Sequence, residues 1–149
     1  MRGAPIEVLE HVPLFSGLNK RELQKVARLF KKRHFSKGAT VVKEGSGGAA
    51  FFVIESGEAT VFIGRKQHTT LKPGEYFGEI ALIDEGTRMA TITASSDLFC
   101  YGLTYWDFHP FVEKNGVIGW KLLQRMAKLL RETRREAHEL EGALAILRR

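Results

Sequence analysis

The chain has very little cysteine and no long apolar run, and both absences exclude classes of protein. Its single cysteine, Cys100, cannot form an internal disulfide, and its apolar neighbours predict a small buried side chain. No apolar run approaches the length of a membrane span, and the first residues lack the apolar core of a signal peptide. We therefore expect a cytoplasmic protein that does not enter a membrane.

The sequence also lacks the residue clusters on which catalysis depends. Its five histidines are scattered, and none forms a His-x-His or His-x3-His pair that would suggest a metal site. No nucleophile stands in a recognisable pattern with an acid–base partner. We therefore predict that the protein is not an enzyme and holds no metal or cofactor.

The net charge of +6 raises the question of nucleic-acid binding. Two basic runs, residues 31–33 and residues 131–135, account for much of this charge, and we interpret both as solvated faces of helices. The sequence shows no recognition-helix pattern, and it leaves no room for one after the C-terminal helix. We therefore expect no direct binding to nucleic acid.

At 149 residues the chain has the length of one domain, and its residue patterns divide it into three parts. Residues 1–33 predict a helical lead-in, in which Asn19 and Glu22 form a capping box at a helix start. Residues 34–104 contain ten of the fifteen glycines and several short apolar runs, a pattern typical of a small β-roll or barrel. Within this part, residues 55–58 and 72–75 predict hairpin turns. The fold class is therefore mainly β with flanking helices.

Residues 105–149 predict two C-terminal helices, the second running from about 117 to 147. Thr104 and Asp107 give a capping signature at the start of the first. The second carries a heptad seam of apolar residues with one threonine: Leu123, Met126, Leu130, Thr133, Ala137, Leu140, Leu144 and Leu147. Trp120, Leu122 and Leu129 lie on adjoining faces and are expected to pack on the roll. The later part of the seam extends past the core and predicts a parallel homodimer.

The stretch from residue 77 to residue 91 carries the strongest functional signal. Gly78 and Glu79 stand at a predicted helix start, where free backbone amides attract anions. Arg88 adds a charged fork that matches a phosphate, and Glu79 adds an acceptor for a sugar hydroxyl. An anion cradle with an arginine and a ribose acceptor indicates a site for a small nucleotide.

This stretch resembles the phosphate-binding cassette of cyclic-nucleotide-binding domains, in its sequence Phe77-Gly78-Glu79-Ile80-Ala81-Leu82 and again in Arg88-Met89-Ala90-Thr91. The resemblance extends over roughly residues 9–147 and is closest to the sensor domain of bacterial catabolite activators. It implies an eight-stranded roll in which Glu79 binds the ribose 2′-hydroxyl and Arg88 the cyclic phosphate. It also implies that the backbone amides of Ile80 and Ala81 complete the cradle.

The resemblance also bears on which base is bound. Thr133 falls where the catabolite activators have a threonine that bonds the adenine amino group, while Arg134 departs from their serine. Met89 stands where many relatives have a small residue, and it offers no hydrogen-bond donor to guanine. Cyclic AMP is therefore the expected ligand, with cyclic GMP as the alternative.

Three functions agree with these features. The first is a dimeric cyclic-nucleotide sensor whose C-terminal helix changes its docking when ligand binds, acting on an effector that the sequence does not identify. The second is the sensor part of a longer transcription regulator, although the helix-turn-helix of the activators is absent from this sequence. The third is a ligand-free dimerisation scaffold with the same fold.

Overall fold

A computed structural model describes residues 3–46, 50–84, 86 and 88–148 of the chain. Its α-helices are α1 (Ile6–Leu9), α2 (Lys20–Ala27), α3 (Tyr105–Lys114) and α4 (Gly116–Leu147), with 3-10 helices at Pro13–Phe15 and Glu79–Leu82. Its strands are β1 (Lys31–Phe35), β2 (Thr40–Val42), β3 (Ala50–Ser56), β4 (Ala59–Ile63), β5 (Lys66–Leu71), β6 (Tyr76–Phe77), β7 (Thr91–Ala94) and β8 (Leu98–Thr104).

The eight strands of the described residues form two antiparallel four-stranded sheets. The strand order is β1-β8-β3-β6 in one sheet and β2-β7-β4-β5 in the other. This arrangement confirms the predicted β-roll with N-terminal helices and a long C-terminal helix. Helix α3 ends at Lys114 and α4 begins at Gly116, within one residue of the start that the sequence predicts.

Strand β3 is buried on both faces and separates two cores. Phe51 and Val53 pack on the helices, in the larger core. Phe52 and Ile54 alternate with them and point into the roll, where they meet residues of β7 and β8. Because successive side chains of a strand point to opposite faces, this single strand connects the helical layer to the interior of the roll.

Helix α2 begins with the capping box that the sequence predicts. The amide of Asn19 donates to Glu22 Oε1 and the amide of Glu22 donates to Asn19 Oδ1, each at 2.9 Å. Thr104 caps α3 by accepting from the Asp107 amide at 3.2 Å. The carboxylate of Asp107 faces Lys31 at 3.7 Å.

Our assignment of residues 31–33 to a helix exterior was wrong. These residues form most of β1, which pairs only with β8 among the described strands, so the roll begins three residues before the predicted boundary. Strand β1 is therefore an edge strand, and its exposed basic side chains hinder pairing with another chain. Protection of this sheet edge accounts for the basic run at residues 31–33.

The two predicted hairpin turns are turns, but neither closes a hairpin. Residues 55–58 connect β3 to β4 and residues 72–75 connect β5 to β6, and in both cases the two strands belong to different sheets. The hairpin in this region is instead β4–β5, which turns at Gly64 and Arg65. Both misassigned turns are corners at which the chain passes from one sheet to the other.

Helix α4 packs on the lead-in only through its first half. Leu122 is buried and Leu129 half-buried, as predicted, whereas Trp120 is 63% exposed, so its predicted packing on the roll is wrong. Trp120 instead lines an apolar groove between α3 and α4, together with Val112 and Leu123. No helix among the described residues is long and apolar enough to cross a membrane.

The corner at Gly57 gives a test of the fold. Gly57 has a positive φ of 85°, and a Cβ there would overlap the backbone carbonyl of Asp97. We expect Gly57→Ala to lower the free energy of unfolding by about 3 kcal/mol or more, since strain at positive φ alone costs about 1–2 kcal/mol.

Gly74→Ala is the matched control. The free energy of unfolding of both variants is measured by urea unfolding under identical conditions. Gly74 has a φ of 89°, but no described atom lies within 4 Å of its Cβ position. Its loss of stability should therefore stay within about 1–2 kcal/mol. Equal losses in the two variants would contradict the close approach at Gly57.

Candidate functional site

The second residue of the cassette is a glycine that no other residue can replace without movement. Gly78 follows β6 and has φ 85° and ψ 17°, in the left-handed region. A Cβ at this position would lie 2.5 Å from Arg88 Nη1 and 2.6 Å from the Ala50 carbonyl oxygen. The predicted helix start is therefore in place, although the helix that follows is a four-residue 3-10 helix.

Arg88 is the half-buried cation of the site. Its Nη2 donates to the Ala50 carbonyl at 2.5 Å, while its Nε is buried without a partner among the described residues. Burial lowers the pKa of Arg88, and the negative charge of Glu79 opposes this shift. No ion pair within the described part of the chain neutralises the guanidinium. A cation in this position offers its free N–H groups to an incoming anion.

The backbone of Arg88 is also fixed. Its amide donates to the Ser46 carbonyl and its carbonyl accepts from the Gly45 amide, each at 2.9 Å. These two bonds tie the end of the cassette to the loop that follows β2. The position of the guanidinium is therefore set from both its main chain and its side chain.

A cavity of about 370 Å³ lies beside the cassette and is lined by three of the predicted site residues, Glu79, Ile80 and Thr133. Its walls come from three parts of the chain: the lead-in (Pro13, Leu14), the cassette region (Tyr76, Glu79, Ile80, Ile83) and helix α4 (Met126, Leu129, Leu130, Thr133). The walls are apolar apart from the Glu79 carboxylate and the hydroxyls of Tyr76 and Thr133. Burial, and to a smaller extent Glu79, raises the pKa of Tyr76, so this hydroxyl stays neutral.

Thr133 has a fixed hydroxyl. Its Oγ1 donates to the carbonyl of Leu129, one turn earlier, at 2.9 Å. This is the local bond that threonine commonly makes inside a helix. Because the hydrogen is used in that bond, the lone pairs of the oxygen remain available, and the hydroxyl can act as an acceptor.

The other predicted site residues do not line this cavity. The Ala81 amide donates to the Gly78 carbonyl at 3.0 Å, inside the 3-10 helix. Met89 is 88% exposed, and Ala90 forms part of the bend before β7. The structure thus places Arg88 against Gly78, and Glu79 with Ile80 and Thr133, in two adjoining groups.

Sequence reasoning missed several residues of the site. The carbonyl of Ala50 holds Arg88, and no side-chain pattern could have shown this because every residue has a carbonyl. Tyr76 and Leu14 line the cavity, and for these two a signal did exist. Tyr76 stands next to the cassette, and Leu14 belongs to the apolar stretch before the first capping box.

Two polar contacts hold α4 against the lead-in beside this cavity. Lys121 Nζ lies 2.7 Å from Glu22 Oε1, and Arg125 Nε donates to the Pro13 carbonyl at 2.9 Å. The hydrogen bond from Lys121, and secondarily the one from the Asn19 backbone, lower the pKa of Glu22. The Glu22 carboxylate therefore both caps α2 and holds α4 in place through Lys121.

The described residues contain no group of three or more His, Cys, Asp or Glu side chains arranged to hold a metal ion. Cys100 is buried, as predicted, and burial raises the pKa of its thiol to about 12. Such a thiol stays protonated and unreactive at neutral pH.

Comparison with known proteins identifies the family. The sequence profile described as "Cyclic nucleotide-binding domain" matches residues 32–115, more than half of the chain. The chain belongs to the cyclic nucleotide-binding domain family. This confirms the resemblance seen in the cassette.

Individual relatives agree with this assignment. A cAMP-dependent protein kinase regulatory subunit of Hypocrea atroviridis is 38% identical over 90 residues, 60% of this chain and 20% of that protein. The cyclic AMP receptor protein of Thermus thermophilus is 31% identical over 125 residues, 80% of this chain and 58% of that protein. The chain thus spans between a fifth and about three fifths of these two relatives.

Among solved structures, the N-terminal domain of a transcriptional regulator from Streptomyces coelicolor is similar. It superposes with a TM-score of 0.78 at 26% identity, over 85% of this chain and 94% of that one. This structural similarity covers more of the chain than residues 32–115, which the family profile matches.

Proposed function

We propose that the protein is a sensor that binds a cyclic nucleotide, with cyclic AMP as its preferred ligand. The observation that carries this proposal is the state of Arg88. Its guanidinium is half-buried, its Nε has no partner among the described residues, and no described carboxylate forms an ion pair with it. A half-buried cation without a paired carboxylate is unfavourable, and the cyclic phosphate supplies a negative charge at this point.

The other groups of the site suit the rest of such a ligand. Glu79 follows Gly78 directly, so an acceptor for the ribose 2′-hydroxyl lies next to the phosphate position. The Ile80 and Ala81 amides are the proposed remaining donors to the phosphate. Since the Ala81 amide now donates to Gly78, its contribution requires this turn to open. Thr133 can accept from the amino group of adenine.

We further propose that the signal is a change in the docking of α4. This helix supplies Met126, Leu129 and Thr133 to the same cavity that Glu79 enters. A ligand that contacts the cassette and α4 together binds more tightly when α4 is docked in one particular way. Because a ligand can shift an equilibrium only by its difference in affinity, these shared contacts would drive the change.

A homodimer through α4 completes the proposal. From Arg131 onward every described residue of α4 is exposed, including Leu140, Leu144 and Leu147 of the heptad seam. An apolar stripe on a protruding helix favours association, and the heptad spacing suits a parallel pair of identical helices.

The first test concerns Arg88. We expect Arg88→Ala to weaken cyclic AMP binding by about 100-fold or more, since breaking a buried charge pair costs about 3–5 kcal/mol. Isothermal titration calorimetry measures the affinity, and circular dichroism checks the fold. Arg65→Ala, at the exposed β4–β5 turn, is the control and should bind as the unmodified protein does. Unchanged affinity in Arg88→Ala would refute the phosphate assignment.

The second test concerns the dimer. Leu140→Lys combined with Leu144→Lys places two charges in the seam, and light scattering should then show a monomer. Ile146→Lys is the control because Ile146 is similarly exposed but lies off the seam, so this variant should remain a dimer. A monomeric unmodified protein at micromolar concentration would show that the seam does not mediate association.

The third test concerns the base. We expect cyclic AMP to bind about tenfold or more tightly than cyclic GMP, since an unpaired buried amine costs roughly 1–3 kcal/mol. Thr133→Val removes the hydroxyl at nearly constant volume and should narrow this preference while the dimer persists. Titration of the unmodified protein and of Thr133→Val with each nucleotide measures the change in preference. Equal or tighter binding of cyclic GMP to the unmodified protein would contradict the role of Thr133.

A further inference from the structure

A second cleft lies on a different face of α4 from the nucleotide cavity. It has a volume of about 300 Å³ and is lined by Ser16 and Gly17 of the lead-in and by Lys121, Gln124, Arg125 and Lys128 of α4. All of these residues are polar or glycine, and three of them are cations. The proposed binding of a cyclic nucleotide uses none of them.

The three cations are only partly compensated. Lys121 is paired with Glu22, and Arg125 uses its Nε on the Pro13 carbonyl. The Nη groups of Arg125 and the ammonium of Lys128 have no hydrogen bond or ion pair among the described residues, and Glu132, one turn beyond Lys128, does not pair with it. One carboxylate therefore faces three positive charges.

This arrangement is unfavourable without an anion. The cations stand at spacings of four and three residues, so they are neighbours on one face of the helix, where like charges repel. A concave site walled by protein concentrates their field. Arg125 also keeps two Nη groups, and such groups match the geometry of phosphate oxygens.

We propose that this cleft binds a diphosphate group, either as inorganic pyrophosphate or as the diphosphate end of a nucleotide. Arg125 and Lys128 are three residues apart on one face of the helix, so one ligand with two linked phosphates can contact both. The ligand would bridge the lead-in and α4 and so add a third polar link to the two that already hold the helix.

Titration calorimetry on the unmodified protein without cyclic nucleotide tests this site, with pyrophosphate in one arm and adenosine diphosphate in the other. Near 0.15 M salt, where exposed charges are screened beyond about 8 Å, we expect saturable binding with a Kd below about 1 mM in at least one arm. Repeating both arms in Arg88→Ala removes the contribution of the proposed nucleotide site. Binding in this cleft should survive that substitution, so the two proposals can fail separately.

Variants of Lys128 locate the binding. Lys128→Gln should weaken it at least fivefold, Lys128→Arg should restore it, and Lys66→Gln, on exposed strand β5, should leave it unchanged. Lys128 is exposed, so these variants should fold, and circular dichroism checks that they do. Absence of saturation in both arms, or an equal loss in Lys66→Gln and Lys128→Gln, would overturn the proposal.

Discussion

The contact of the Arg88 guanidinium with Gly78 and the Ala50 carbonyl is the constraint on which the site depends. It requires a residue without a side chain at Gly78, and it fixes the entrance to the cassette against β3. It also leaves the buried Nε of Arg88 without a partner among the described residues. A ligand that binds the folded state at this point both removes that cost and raises the stability of the roll.

Strand β3 connects the Arg88 contact to the helical core. Its first residue, Ala50, holds Arg88, while Phe51 and Val53 pack directly on the helices. Protein interiors are close-packed and resist continuous deformation, so a shift of Arg88 would displace side chains of the helical core. The cavity shared by Glu79 and Thr133 gives a second, more direct connection between the cassette and α4.

Local features of the fold could be predicted from the sequence, and long-range pairings could not. The Asn19–Glu22 capping box and the start of α4 depend on residues a few positions apart, and both are confirmed. Strand β1 was missed because its pattern of charges reflects an exposed edge and shows no apolar alternation. The corners at residues 55–58 and 72–75 were misread because turn residues do not reveal which strands pair. In the site, Glu79 and Arg88 carry a side-chain signal, whereas the Ala50 carbonyl carries none.

The protruding half of α4 would amplify the docking change that we propose. From Arg131 to Leu147 the helix extends about 25 Å at 1.5 Å per residue, beyond its last contacts with the lead-in. Since a helix is stiff over such a length, a tilt of about 10° at the docked end would move the far end by about 4 Å. A small tilt near Met126 would thus become a sideways displacement of about 4 Å at the C-terminal end of α4, which is exposed to a partner.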